Sequence, residues 1–139
     1  RIVPLPGPCA AVTALSASGL AEPHFLFYGF LPAKARQRED ALRELADLPY
    51  ALVFYEAPHR IAETVASLLA VFGPERTLVL ARELTKLFET VLRGRLSELI
   101  ALLRQSEPRG EYTVVIAGKG GEAEAGLADE ADEDEEGGR

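Results

Sequence analysis

Three apolar segments of strand length, residues 25–28, 51–54 and 77–80, each give way to a polar cluster: GFLPAKARQR, YEAPHR and ARELTK. Short apolar runs spaced by helix-length stretches call for an α/β arrangement. Open sheets of that class handle ligands at the carboxyl ends of their strands. The chain therefore carries one wall of a site, and that wall is rich in Arg and Lys. The glycine loops that cradle phosphates and the spacings that ligate metals are absent, so the wall is not a self-sufficient site.

At 139 residues the chain supports about one domain with its own core. It opens Arg1-Ile2-Val3-Pro4-Leu5, without Met and directly into an ordered-looking segment, as expected if an upstream part is missing. Cys9 is the only cysteine, which excludes a disulfide framework and favours a reducing, cytoplasmic setting. No apolar run approaches a membrane span and no signal-peptide pattern is present. The formal net charge of −7 conceals an uneven division: Glu122–Glu136 hold nine acids, whereas residues 1–121 hold 13 acids against 14 bases. Residues 1–118 are expected to form the domain. Residues 119–139, made of Gly, Ala, Glu and Asp with one Leu, one Lys and one Arg, cannot bury enough apolar surface to offset ordering and are expected to be a disordered acidic tail.

Pro4–Pro8 reads as a stiff turn placing Pro8 at the first position of a helix over about Cys9–Ser18, closed by a left-handed Gly19. Its alanines and serines permit close approach to a strand or to a ligand, and tight core packing explains them equally well. Phe25–Phe30 is expected as a buried strand. A helix follows with Leu42, Leu45 and Ala46 on one face, and Tyr50–Tyr55 forms the second strand. Pro58 is expected to start a helix striped by Ile61, Val65, Leu68, Leu69 and Phe72. Strands are then expected at Arg76–Ala81 and Leu87–Leu92. Ser97 is expected to cap a helix burying Leu99, Ile100, Leu102 and Leu103, which Pro108–Gly110 ends before a last strand, Tyr112–Ala117. The result is an α/β domain with a mixed sheet of about five strands and about four helices, since the last strands lack helical crossovers.

His24 and His59 belong to no metal-ligand spacing, and Ser16, Ser18, Ser67, Ser97 and Ser106 stand in helical or capping contexts without a nucleophile elbow. Glu56, at a strand end ahead of Pro58-His59-Arg60, fits either a base or ligand acceptor, or a carboxylate satisfying free backbone N–H groups at a helix start. Arg82-Glu83-Leu84-Thr85-Lys86 concentrates two cations, an anion and a hydroxyl in one strand-to-strand turn. Lys34, Arg36, Arg38, Arg60, Arg82 and Lys86 form a candidate phosphate-contacting rim, of the kind that gives affinity with little sequence specificity.

The segments PLPGPCAAVTALSASGL, YGFLPAKARQR, FYEAPHR, ARELTKLFET and GEYTVVIAG, in that order over residues 1–118, resemble the carboxyl-terminal half of the small-subunit ribosomal RNA methyltransferases of the tetrapyrrole methylase superfamily. The resemblance implies S-adenosylmethionine bound between an absent amino-terminal domain with a Gly-rich loop and this one, and 2′-O-methylation of a cytidine in small-subunit rRNA. It also implies a homodimer, while the spacings and run lengths above leave no metal and no membrane expected. Carried over by position, it implies cofactor contacts at Cys9, Ala10, Tyr55, Glu56, Leu84, Thr85, Tyr112 and Thr113. For the reaction itself Lys86, Glu83 and Glu56 are the candidates in this half, and the chain alone is expected to be inactive. Tetrapyrrole-modifying relatives are apolar where Glu56 stands and small where Leu84 stands. A tetrapyrrole methylase half, or a non-catalytic module for RNA docking or dimerisation, is the alternative.

Overall fold

A computed structural model describes residues 1–5, 7–20, 24–105, 107 and 109–121. The elements in chain order are α1 (Ala10–Ser18), β1 (Phe25–Phe30), α2 (Ala35–Leu45), β2 (Ala51–Glu56), α3 (Ile61–Phe72), β3 (Thr77–Arg82), β4 (Thr90–Arg95), α4 (Leu96–Gln105) and β5 (Tyr112–Ile116). The five strands form one mixed sheet in the order β1-β2-β5-β3-β4, with β1 parallel to β2 and every other pairing antiparallel. Five strands, four helices and a mixed sheet are what the sequence pattern calls for. The expected tail beyond Gly121, with Ser106 and Pro108, lies outside the described residues. Lys119 is docked on the domain, its N–H donating to the Leu48 carbonyl and its Nζ 2.9 Å from Asp47 Oδ1.

Strand alternation divides the sheet into two unlike faces. Leu52, Phe54, Leu78, Leu80, Val114 and Ile116 point to one side, where α2, α3 and α4 cover them with Leu42, Ile61, Val65, Leu68, Leu96, Leu99 and Leu103. Ala51, Val53, Val79, Ala81 and Val115 point to the other, where α1 lays Ala11 and Ala14 on them. Arg93 of β4 donates to the Ala17 carbonyl and ties down the carboxyl end of α1, which Gly19 closes at φ 73°.

Several boundaries differ from the sequence expectation. α1 begins at Ala10 with Cys9 as its N-cap, so Pro8 precedes the cap instead of opening the helix. α3 begins only at Ile61, because the Pro58 region forms a turn in which Arg60 N–H donates to the Ala57 carbonyl. The fourth strand is Thr90–Arg95, not Leu87–Leu92, since the turn after β3 consumes residues up to Glu89 through Lys86 N–H to Glu83 O and Glu89 N–H to Lys86 O. Ser97 lies inside α4 and not at its cap. Its N–H and that of Leu96 donate to the carbonyls of Pro74 and Arg76, so the backbone satisfies the helix start. Leu102 is on the outer face of α4.

The largest departure is β1. Its apolar side chains predict burial on both faces, yet Phe25, Leu26, Phe27, Tyr28 and Phe30 are all exposed. β1 is an edge strand, and none of the described helices packs closely over it. Apolar composition reports that a strand is to be covered, but not by what.

Candidate functional site

Strand direction brings the polar clusters together. β1 and β2 run parallel and end side by side, with Phe30 paired to Tyr55. β5 runs the opposite way, so its first residue Tyr112 stands opposite Glu56. Tyr112 also stands opposite Arg82, the last residue of β3, and Arg82 in turn faces Thr90. Glu56, Tyr112, Arg82 and Thr90 thus form one row across a single edge of the sheet.

A cavity of about 240 Å³ opens at this edge, lined by Ala10, Phe30, Tyr55, Glu56, Ala57, Glu111, Tyr112 and Thr113. Small-molecule sites usually span about 300–1,000 Å³, so this one takes part of a ligand and leaves the rest to another surface. Tyr55 and Thr113, paired in register, face α1, while Glu56 and Tyr112 face the opposite layer. The Tyr55 hydroxyl accepts from the Ala11 N–H at 3.3 Å, supplying a partner to a helix start whose N-cap, Cys9, makes no side-chain cap bond. A bulge between Phe27 and Gly29, with Gly29 at φ 88°, brings both Phe27 and Phe30 against the Tyr55 ring, at centroid distances of 5.1 and 5.8 Å. One wall is therefore aromatic.

Glu56 is 4% exposed and fully engaged. One oxygen accepts the Ala57 N–H at 2.8 Å and the other the Thr64 hydroxyl at 2.7 Å, with Arg60 Nε 3.5 Å away. Of the two readings open for this carboxylate, the geometry builds the structural one, which ties the end of β2 to the first turn of α3.

The turn between β3 and β4 is closed by its own polar groups. Glu83 pairs with Lys86 at 3.1 Å and accepts the Glu111 N–H at 3.1 Å. The bond to Lys86 holds its carboxyl below the usual carboxylate value against the opposing effect of desolvation, with help from the Glu111 N–H and the charges of Lys86 and Arg82. Such a carboxylate is a weaker base. Thr85 donates its N–H to Glu89 Oε1 at 3.0 Å, and both Glu83 and Thr85 adopt left-handed backbone, at φ 53° and 66°. Leu84 packs against the alanine and valine cluster under α1.

Of the residues expected at a cofactor, Ala10, Tyr55, Glu56, Tyr112 and Thr113 line the cavity; Cys9, exposed beside Ala10, does not, and neither do Leu84 and Thr85. Phe30, Ala57 and Glu111 were not anticipated. The antiparallel pairing of the last strand is the signal for Glu111, since the start of such a strand lies at the same edge as the ends of its neighbours.

The cationic rim needs one correction. Arg38 is 3% exposed, donating from Nε to Ser67 Oγ at 2.9 Å and from Nη1 to the Ala33 carbonyl at 3.1 Å. Residue 38 stands four before Leu42 and seven before Leu45, on the inward stripe of α2, so its guanidinium joins α2 to α3. Lys34 and Arg36 are exposed beside it. Arg60 is half-buried on Glu56, and Arg82 is half-buried with Nη2 3.4 Å from Thr90 Oγ1. Among the described residues no group of three His, Cys, Asp or Glu could hold a metal, and no helix is long and apolar enough to cross a membrane.

The profile of the Tetrapyrrole (Corrin/Porphyrin) Methylases matches residues 1–100, most of the chain. The chain belongs to the tetrapyrrole methylase family. Within it, the chain is 50% identical over 133 residues to ribosomal RNA small subunit methyltransferase I of Vibrio cholerae, covering 94% of this chain and 46% of the relative. The protein of that name in Escherichia coli O157:H7 is 48% identical over 120 residues, 85% of this chain and 42% of its own length. Among solved structures, the methyltransferase CobJ superposes with a TM-score of 0.60 at 21% identity, over 81% of this chain and 49% of that one. Uroporphyrin-III C-methyl transferase from Thermus thermophilus, complexed with S-adenyl homocysteine, superposes with a TM-score of 0.56 at 18% identity, over 81% of this chain and 51% of that one. These two likenesses concern the tetrapyrrole methylase fold. The chain spans about half the length of the curated relatives it matches.

Proposed function

We propose that this chain is the carboxyl-terminal part of an S-adenosylmethionine-dependent methyltransferase of small-subunit ribosomal RNA, acting on the 2′-hydroxyl of a cytidine. The observation that carries the reading is the convergence of Ala10, Tyr55, Glu56, Tyr112 and Thr113 on one open cavity in a chain about half identical to relatives of that name. The cavity's walls suit the cofactor, which carries a planar base and a sulfonium cation and no phosphate. Tyr55, Phe30 and Tyr112 offer aromatic surface, Ala10 and Ala57 offer close approach, and Glu111 offers a carboxylate, while the Glu56 carboxylate is held by Ala57 and Thr64. Bound there, the cofactor supplies an electrophilic methyl group.

For the protein, the work is positional: an in-line displacement needs the acceptor oxygen held near the methyl and a means of stabilising charge that develops on it. Lys86 is the cation this half can bring to that oxygen, with Glu83 orienting it. Glu56, engaged on both oxygens, is assigned to building the wall and not to proton transfer. Lys34 and Arg36 supply exposed charge for the RNA backbone. A homodimer and a cytoplasmic setting belong to the same proposal, as does inactivity of this chain without the remainder of the enzyme.

The test is to incubate the complete enzyme and labelled S-adenosylmethionine with small-subunit particles and, in parallel, with uroporphyrinogen or precorrin. Ribose-linked label on rRNA is expected, and label on the tetrapyrrole alone would move the chain to the alternative. Lys86→Ala is expected to lower the methylation rate far more than cofactor affinity. Equal losses would remove Lys86 from the reaction. Micromolar binding of S-adenosylmethionine to this chain alone, by calorimetry, would contradict the half-site reading.

A further inference from the structure

We propose that the turn between β3 and β4 is a contact site for an unpaired RNA base, with Phe88 as the stacking surface. This rests on the rRNA reading above and names a contact to the substrate beyond the cavity. Leu87 and Phe88 are 89% and 75% exposed at the tip of a turn that is otherwise tightly closed. Lys86 N–H donates to Glu83 O at 3.0 Å, Glu89 N–H to Lys86 O at 3.2 Å, and Thr85 N–H to Glu89 Oε1 at 3.0 Å. Two residues other than glycine hold left-handed backbone to make this turn. Outliers of this kind cluster at ligand clamps and switch regions. Leu84 folds back onto the domain under α1, whereas Leu87 and Phe88 are projected from it.

The charges around the ring are sorted. Glu83 is engaged by Lys86 and the Glu111 N–H, and Glu89 by the Thr85 N–H, so the turn's carboxylates are tied within it. What remains outward is the Phe88 ring, Leu87 and the Lys86 side chain, 65% exposed. Glu83 also anchors the segment ahead of β5, where Arg109, 82% exposed, lies 3.8 Å from the Glu107 carboxylate. An exposed aromatic ring two residues from an exposed lysine is the footing that single-stranded nucleic acid uses: bases stack while phosphates meet the charge. Two apolar side chains cover far less than the roughly 800 Å² per partner of a stable protein interface. One ring is enough for one base.

Position completes the argument. The turn leaves the sheet at Arg82 and returns at Thr90, and Arg82 is paired with Tyr112, which lines the cavity. A base on Phe88 would therefore lie at the sheet edge that carries the cavity.

The sequence contains no Trp, so Phe88→Trp gives this chain a single indole reporter at the tip. Titration with a single-stranded, cytidine-containing RNA oligonucleotide is expected to quench its emission saturably and to lose the effect at high salt. Unchanged emission would overturn the proposal. In the complete enzyme, Phe88→Ala is expected to raise KM for small-subunit particles by roughly tenfold, with cofactor affinity held, and Phe88→Trp is expected to restore it. Restoration by Phe88→Leu would refute stacking, and loss of self-association in Phe88→Ala would make the tip a protein contact instead. If the wild-type enzyme leaves rRNA unmethylated, the functional reading falls while the fluorescence titration still decides this one.

Discussion

The two faces of the sheet are built from different side chains for different ends. Under α2, α3 and α4 lie leucines, isoleucines and Phe54, buried almost completely. Under α1 lie alanines and valines. Burying a Leu or Phe side chain contributes about 1.5–3 kcal/mol, and an Ala methyl far less, so the first face carries most of the stability. The second trades burial for proximity. Small side chains let the backbone of α1 reach the sheet, which puts Ala10 in the cavity wall and the Ala11 N–H on the Tyr55 hydroxyl. A site that must sit beside a backbone needs a thin layer, and a thin layer needs a thick one behind it.

The strongest challenge to that contrast is a pair of substitutions at fully buried positions. Leu68→Ala, on the thick side, is expected to cost about 2–5 kcal/mol through lost burial and a residual cavity. Ala14→Leu, on the thin side, is expected to cost about 1–3 kcal/mol by overpacking and, in the complete enzyme, to weaken cofactor binding as well. Urea titration and calorimetry read both, and unaltered cofactor affinity in Ala14→Leu would separate α1 from the site. Next comes a pair of arginines two residues apart. Arg38→Met, which strips the guanidinium from Ser67 and Ala33, is expected to cost about 1.5–3 kcal/mol. Arg36→Ala is expected to stay within about 0.5 kcal/mol and to weaken RNA binding, as a salt-dependent binding assay would show.

Smaller effects probe the strand-end edge. Gly110 has φ 73°, and a Cβ there would lie 2.0 Å from the Glu83 carboxylate. Gly110→Ala is expected to cost about 1–2 kcal/mol for the left-handed backbone and to displace Glu83 from the Glu111 N–H. Hydrogen exchange at Glu111 would report the displacement, and unchanged protection there would show that Glu83 is dispensable. The smallest effect is in pH. Because the folded state lowers the Glu83 carboxyl, the unfolded chain binds more protons across the interval between the two values, so stability rises with pH there. The contribution is present above the unfolded value, near 4.5, and is lost as pH falls through the folded one. Lys86→Met is expected to flatten that slope in urea titrations at stepped pH.

Much of this was legible beforehand for physical reasons. Apolar runs, helical spacing and turn residues pointed to the nine described elements, the fourth strand three residues early, and of the expected stripe Ile61, Val65, Leu68 and Phe72 are buried while Leu69 is only partly so. Boundaries slipped where backbone groups did what a side chain was expected to do, as at Ser97, where the Pro74 and Arg76 carbonyls, between α3 and β3, satisfy the helix start. Arg38 was misplaced because a guanidinium looks the same in sequence whether it meets phosphate or Ser67. Phe30 and Glu111 were missed because neither carries a motif; one enters through a bulge, the other through strand direction. The cofactor contacts were proposed from family resemblance, and five of the eight line the cavity.

By itself the sequence determined the α/β class, the mixed sheet and the identity of the strand-end clusters, because alternation, helical spacing and turn residues are local properties written in adjacent side chains. Only the tertiary structure decided which clusters meet, which cations remain outward and that the Phe25–Phe30 strand lies open. Those depend on strand order and register, and hydrogen bonds between backbones set them with little regard to the residue types they join.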